Sequence, residues 1–116
     1  MAELNINLNY LIEACGSDKE ALKELITLFV NETPKNIENI KNSIANADWN
    51  SVKITAHKLK SSYKIFGLTE LSDNFSKIEK YSQNQSDYDK AENIFNSSIL
   101  FSNLVIDKLK HEYSID

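Results

Sequence analysis

The chain of 116 residues is poor in residues that break helices, since it contains two glycines and one proline. So few turn-forming residues leave few places for a change of direction, which predicts long secondary-structure elements. Its single cysteine, Cys15, cannot form an internal disulfide and is typical of a reducing compartment. The chain lacks the run of about 18 apolar residues that a membrane-spanning helix needs, and residues 1–5 lack the basic start of a signal peptide. We therefore predict a cytoplasmic protein that does not enter a membrane.

The charge balance is acidic, because 13 Lys and Arg residues against 17 Asp and Glu residues give a formal net charge of −4. A general nucleic-acid binder would present a basic surface to phosphates, so this balance argues against nucleic acid as a partner. Apolar residues make up 41% and charged residues 26% of the chain, which fits one soluble domain with a single core. Since no repeat or linker divides the sequence, we predict one domain over residues 1–116.

Apolar residues recur at steps of three and four positions, which is the spacing of amphipathic helices. Two runs show it: Leu22, Leu25, Ile26, Phe29, Ile37, Ile40 and Ile44, then Val52, Ala56, Leu59, Tyr63 and Phe66. Pro34 interrupts the first run, where it could either open a new helix or kink a continuous one. Because the apolar stripe passes through Pro34 nearly in phase, we favour one kinked helix from Asp18 to about Ala45.

The helix boundaries have signals of their own. Gly16 predicts the end of a short first helix that runs from Leu8 to Cys15. Ser17 and Glu20 form a capping-box pattern at the start of the second helix. The remaining signals are an N-cap at Asp48, a helix stop at Gly67, an N-cap at Thr69, a loop from Ser82 to Ser86 and a last helix from Tyr88 to near Tyr113. Together they predict an all-α fold, an up-and-down antiparallel four-helix bundle with a short additional N-terminal helix.

His57 lies on the predicted helix that follows Asp48. At about 100° per residue its imidazole points roughly 140° away from the centre of that helix's apolar stripe, so we expect it to face solvent. Its face carries polar neighbours one or two turns away: Lys53, Lys60, Ser61 and Lys64. A neutral imidazole is a nucleophile, and ammonium and hydroxyl groups beside it can bind phosphoryl oxygens. Such a stripe suits phosphoryl chemistry, and Lys60, Ser61 and Lys64 are the residues that would stabilise a phosphoryl group if His57 carried one.

Three more residues flank the ring on the solvent side of the helix: Ile54, Lys58 and Ile65. Exposed aliphatic side chains beside a reactive group are candidate docking contacts, although single apolar surface residues are common. We predict that these three residues contact a partner. The two histidines, at positions 57 and 111, and the distant Cys15 give no metal-ligand spacing. We therefore expect no metal and no cofactor in this chain.

The segment around the histidine reads Ala56-His57-Lys58-Leu59-Lys60-Ser61-Ser62, followed by Gly67 and Leu71 at ten and fourteen positions after the histidine. It resembles the signature of histidine phosphotransfer (HPt) domains, four-helix bundles that carry a phosphoryl group on an exposed imidazole. The Phe29-x-x-x-x-Pro34 spacing and the Asn46-Ala47-Asp48 turn are also similar to this family. One position departs from its pattern, because Ser61 stands where the family usually has glycine, and its side chain could obstruct a partner.

The resemblance implies a function. His57 would take a phosphoryl group on Nε2 from the aspartyl phosphate of one receiver domain and pass it to the aspartate of another, while Lys60 would stabilise the phosphoryl oxygens. Gly67 and Leu71 would be structural. The implied partners are response-regulator receiver domains, which supply Mg²⁺, and a hybrid sensor histidine kinase. The chain would then be a monomeric phosphocarrier and not an enzyme.

Two other classes of function stay open. A binding-only bundle of the same fold would dock a receiver domain or another signalling protein beside His57 without being phosphorylated. An enzyme would use His57 as a general base, but a convex helix face offers no substrate cavity. The sequence names neither the cognate receivers nor the direction of phosphoryl flow. Nor does it decide whether the chain is part of a larger hybrid kinase, although its capped start and complete bundle favour a free-standing protein.

Overall fold

The computed structural model describes residues 6–116, so the signal-peptide prediction for residues 1–5 lies outside the described range. Within this range the chain has five α-helices and no strand, which confirms the all-α class. The helices are α1 (Asn9–Cys15), α2 (Lys19–Ala45), α3 (Trp49–Ile65), α4 (Thr69–Tyr81) and α5 (Tyr88–Glu112), with a 3-10 turn at Gln85–Asp87. Helix α3 packs against α2 and α4, and α5 packs against the same two helices. The up-and-down antiparallel order of the four longer helices stays a prediction.

Helix α2 runs unbroken through Pro34, which confirms one long helix over the alternative of two. Residues buried on both sides of the proline keep a single face of this helix against the core. The predicted capping box with Ser17 is wrong, because the N-cap is Asp18, whose Oδ1 accepts a hydrogen bond from the Ala21 N–H at 3.0 Å. Asp18 has an extended backbone, and its side chain satisfies one of the free N–H groups at the start of α2.

The start of α3 confirms Asp48 as an N-cap. Its Oδ1 accepts from the Ser51 N–H at 3.2 Å, and its Oδ2 accepts from the Ser51 hydroxyl at 2.6 Å. These two hydrogen bonds, the hydroxyl one first, lower the pKa of the Asp48 carboxyl because they favour its charged form. Beside this cap the Trp49 ring stacks on Tyr88 with centroids 4.1 Å apart, so the half-buried indole joins α3 to the start of α5.

The end of α3 confirms Gly67 as a helix stop. Gly67 has φ +71°, in the left-handed region that favours glycine. Its N–H donates to the Lys64 carbonyl at 3.1 Å and the Leu68 N–H donates to the Tyr63 carbonyl at 2.9 Å, the pattern of a Schellman motif. A Cβ at position 67 would also overlap the backbone and side chain of Asn7. Glycine is therefore required at this position both by conformation and by space.

The core confirms the apolar face predicted for α3, since all five of its members are at most 5% exposed: Val52, Ala56, Leu59, Tyr63 and Phe66. The Tyr63 hydroxyl shares a 2.9 Å hydrogen bond with Ser102 of α5, so its polar atom is satisfied inside the core. Burial raises the pKa of this hydroxyl, and the bond to Ser102 offsets only part of that rise. Leu71 is buried in the same cluster, as expected for a structural residue.

Two predicted boundaries need correction. Thr69 is the first residue of α4 and not its cap, because Leu68 precedes the helix and makes no side-chain capping bond. The predicted loop from Ser82 to Ser86 contains the start of the 3-10 turn. The last helix ends at Glu112, next to the predicted fraying point at Tyr113. Across residues 6–116, every helix is too short or too polar to cross a bilayer.

Candidate functional site

His57 stands on the outer face of α3, and its side chain is 59% exposed. Its neighbours Ala56 and Leu59 are fully buried on the opposite face, so the helical periodicity predicted the rotation of α3 correctly. The imidazole therefore lies in solvent, as the sequence indicated.

The ring is held from α4 by Glu79, a residue that the sequence analysis did not identify. Glu79 Oε2 lies 2.9 Å from His57 Nδ1, and its other oxygen, Oε1, accepts from Lys60 Nζ at 2.8 Å. Glu79 is 22 positions from His57, so helical spacing could not connect them, and only the packing of α4 on α3 brings them together. One weak signal was present, since Glu79 directly follows Ile78 of the buried stripe of α4 and so had to lie at its edge.

The charge of Glu79 is set by its two partners. Burial alone would raise the pKa of this carboxyl, but the hydrogen bonds from Lys60 and His57 and their positive charge outweigh burial and lower it. An ionised carboxylate can only accept hydrogen bonds, so His57 Nδ1 must be the donor. In the neutral ring this leaves Nε2 without a proton and with a free lone pair. Among residues 6–116 the ring makes no other hydrogen bond, and the side chain as a whole is 59% exposed.

The three predicted phosphoryl-stabilising residues differ in their surroundings. Lys60 is 29% exposed and is already engaged by Glu79, although an ammonium group has three donors and two remain. Lys64 is exposed and has no carboxylate oxygen within 4.0 Å in the described part of the chain. The Ser61 hydroxyl donates to the His57 carbonyl at 3.2 Å, so it must turn away from the backbone to donate to a phosphoryl oxygen. These roles stay predictions.

On its other side the ring borders an open cleft between α2 and α3. We call the exposed apolar residues that line this cleft, Leu25, Leu28 and Ile65, the apolar flank; they are 40%, 59% and 43% exposed. The polar flank consists of Lys60 and Glu79. Leu25 was assigned to the buried stripe of α2, but it lies at the edge of that stripe and faces the cleft.

The predicted docking residues fall in two places. Lys58 and Ile65 line the cleft together with His57. Ile54, 49% exposed, does not line it and lies elsewhere on α3. The sequence therefore missed the two α2 leucines, because their contribution depends on how α2 packs against α3. The available signal was Leu28, an exposed leucine outside the buried stripe of α2, since exposed apolar residues can mark a binding surface.

Within residues 6–116, no three His, Cys, Asp or Glu side chains come together in a way that could hold a metal ion. His111 is exposed near the end of α5, far along the chain from His57. The groups at the site are the His57 imidazole, the Glu79 carboxylate, the Lys60 and Lys64 ammonium groups and the Ser61 hydroxyl.

Comparison with known proteins gives a match to a family model. The family model of the Hpt domain matches residues 24–111, more than half of the chain, and this range includes the whole of α3 and α4. His57, Lys60 and Glu79 all lie inside it. No curated protein and no solved structure matches the chain significantly.

Proposed function

The chain belongs to the Hpt domain family, and from this premise we propose that it relays a phosphoryl group between receiver-domain aspartates through a phosphohistidine at His57. One observation carries the proposal: the imidazole is exposed and Glu79 engages its Nδ1 at 2.9 Å, which leaves Nε2 as the free nucleophilic atom.

The proposed step balances without a base. The Nε2 lone pair attacks the phosphorus of an aspartyl phosphate, the Nε2–P bond forms, and the bond from phosphorus to the aspartate oxygen breaks. The aspartate leaves as a carboxylate, and no proton has to leave Nε2 because it carries none. The resemblance assigns the magnesium ion and most catalytic groups to the receiver. The step is reversible, and its reverse loads a second receiver.

Positive groups favour the loaded state. A phosphoryl group on Nε2 brings nearly two negative charges to the end of the ring. Lys60 and Lys64 lie three and seven positions further along the same helix face, and Lys60 keeps two free donors beyond its bond to Glu79. We assign both lysines and the Ser61 hydroxyl to the phosphoryl oxygens.

The partner is a protein surface. An imidazole on an open helix face, 59% exposed, suits a macromolecule that brings its own active site. We propose that the receiver covers the apolar flank, with Lys58 at its edge, so that the reacting aspartate meets Nε2. In this assignment the chain is a monomeric cytoplasmic phosphocarrier, and a hybrid sensor kinase supplies the first phosphoryl group.

The test is a transfer assay with phosphorylated receiver domains and Mg²⁺. We expect the chain to gain an acid-labile, base-stable phosphoramidate, detected by mass spectrometry. His57→Gln should abolish it completely, whereas the matched control His111→Gln should retain it. A label on His57→Gln would contradict the assignment. Receiver binding without any label on the natural chain would favour the alternative, a bundle that docks signalling proteins and carries no phosphoryl group.

A further inference from the structure

One buried hydroxyl group in the cleft between α2 and α3 lacks a partner within the protein. Thr33 lines this cleft and is only 2% exposed, yet within residues 6–116 its hydroxyl makes no hydrogen bond. In the same range, every polar side-chain atom that is fully shut off from solvent has a partner, so the Thr33 hydroxyl must reach the surface of the cleft. Buried hydroxyls are normally hydrogen-bonded, and this one is free to bond a group that enters the cleft.

Two more polar side chains that line the cleft are free in the same way. Asn36 of α2 and Ser62 of α3 are half-buried, and the described part of the chain offers neither side chain a hydrogen bond. Thr55 shows the usual state of a buried threonine between these helices, since its hydroxyl donates to Asn39 Oδ1 at 3.2 Å. We call the three free residues, Thr33, Asn36 and Ser62, the neutral row.

The packing of α2 on α3 brings members of the neutral row to the same level of the cleft. The short connection at residues 46–48 turns α3 back along α2, and Phe29 of α2 stacks on Phe66 of α3 with ring centroids 4.0 Å apart. Thr33 lies one turn from Phe29 towards this connection, and Ser62 lies one turn from Phe66 in the same direction. The two hydroxyls therefore face one region of the cleft.

We propose that the neutral row binds the carboxamide end of an asparagine or glutamine side chain of the docked receiver, and that Thr33 is a specificity-determining residue. The inference rests on the proposed function, because the receiver delivers this side chain when it covers the apolar flank. It adds to that function a rule for which receivers are accepted.

The chemistry of the cleft selects an uncharged polar group. Hydroxyl and carboxamide groups both donate and accept, so a carboxamide can bond the neutral row with its oxygen and its N–H groups together. The charged residues Glu32 and Lys58 line the cleft at exposed positions, and its buried lining carries no charge that could compensate an ionised side chain. A wholly apolar side chain would remove water from the Thr33 hydroxyl without replacing its hydrogen bond. A site built to bond a polar group discriminates strongly against a ligand that lacks it.

The first experiment tests the free hydroxyl without a receiver. Thr33→Val keeps the shape of the side chain and removes the hydroxyl, so the midpoint of urea unfolding should not fall, because no hydrogen bond is lost. The matched control Thr55→Val removes the bond to Asn39, and its midpoint should fall. An equal fall in both variants would show that the Thr33 hydroxyl is bonded inside the bundle and would overturn the proposal.

The second experiment measures discrimination between receivers. Two receiver domains of the source cell serve as probes, one that labels the chain fast and one that labels it slowly. Thr33→Val should raise Kd for the fast receiver about tenfold and Kd for the slow one less than about twofold, whereas Thr55→Val should leave both as they are. The same change for both receivers, or no change for either, would contradict the proposal while the relay stands. A natural chain that no receiver labels would refute the relay, and this inference with it.

A third measurement identifies the group that enters the cleft. In the complex with the fast receiver, nuclear Overhauser effects should connect the Thr33 methyl group to the side-chain NH₂ protons of a receiver asparagine or glutamine. Replacing that receiver residue by leucine should raise Kd for the natural chain about as much as Thr33→Val does, and should have little further effect on Thr33→Val. Contacts from the Thr33 methyl group to aliphatic or charged receiver side chains alone would sink the assignment.

Discussion

The two flanks of His57 are built differently. On the α4 side, the polar flank consists of charged groups locked to one another, with Glu79 bonded to both Lys60 and the ring. On the α2 side, the apolar flank is a set of aliphatic side chains between 40% and 59% exposed, with no polar atoms to hold them in place. The α4 side therefore fixes geometry by directed hydrogen bonds, whereas the α2 side presents exposed apolar surface.

This difference separates two tasks. In the proposed relay, the hydrogen bonds at 2.8 and 2.9 Å would orient the ring for phosphoryl transfer, and they would therefore affect the transfer rate. Burial of exposed apolar surface against a partner lowers the free energy of the complex, so this surface would contribute to the affinity for a receiver. Changes on the polar flank should therefore alter transfer rates at saturating receiver, and changes on the apolar flank should alter receiver affinity.

The largest effect is expected for Leu28→Asp, on the affinity for the receiver. It removes the most exposed member of the apolar flank and would place a charge under the docked receiver, so Kd should rise about tenfold to a hundredfold, equivalent to roughly 1.4 to 2.8 kcal/mol. The transfer rate at saturating receiver should stay the same. Both quantities come from a titration of receiver in single-turnover transfer.

The matched control is Leu100→Asp, which makes the same change at a leucine that is 69% exposed on α5, outside the cleft. Its Kd should equal that of the natural chain. Equal weakening by both variants would show that the added charge and not the apolar flank is responsible, and a slower saturated rate in Leu28→Asp would break the separation of tasks.

Gly67→Ala tests how the end of α3 stabilises the fold, since α3 carries residues of both flanks. An alanine at φ +71° is strained and would press on Asn7, so the free energy of unfolding should fall by about 1 to 2 kcal/mol, measured by urea denaturation. Ala47 ends α2 in the same way, with φ 54° and the same two closing hydrogen bonds, but without glycine. Ala47→Gly should therefore stabilise the fold by about 0.5 to 1 kcal/mol. A Gly67→Ala variant that is more stable than the natural protein would contradict the steric explanation for glycine at this position.

Ser61→Gly has the smallest expected effect, although Ser61 lies on the ridge between the flanks and lines depressions on both sides. Its hydroxyl donates to the His57 carbonyl. Glycine has a lower helix propensity than serine, so the free energy of unfolding should fall by up to about 0.5 kcal/mol. Transfer should persist in a receiver assay. Complete loss of transfer would show that the hydroxyl has a role in the chemistry that glycine cannot replace.

The fold was largely predictable because its signals are local. The apolar spacing through Pro34, the carboxylate of Asp48 and the glycine at position 67 each act within a few residues, and the structure confirms all three. The failures were also local. Ser17 and Thr69 had the residue type of a cap, but neighbouring Asp18 and Leu68 took the N-cap positions, and sequence alone does not choose between adjacent candidates.

The site was only half predictable. Helical periodicity predicted that His57 and the polar stripe beside it face solvent, since angles along one helix follow from residue number. It could not identify Glu79 or Leu28, because each lies on another helix and its distance from the ring depends on how the helices pack. For the same reason the sequence grouped Ile54 with Ile65, although Ile65 lines the cleft and Ile54 does not.

By itself, then, the sequence determined the helices and the side of α3 on which the imidazole stands, because backbone geometry ties both to residue spacing. Only the tertiary structure decided which atoms surround that imidazole. The docking of α4 brought in the carboxylate that holds Nδ1, and the docking of α2 brought in the leucines of the apolar flank. Contacts between helices depend on the whole core, and no local rule encodes them.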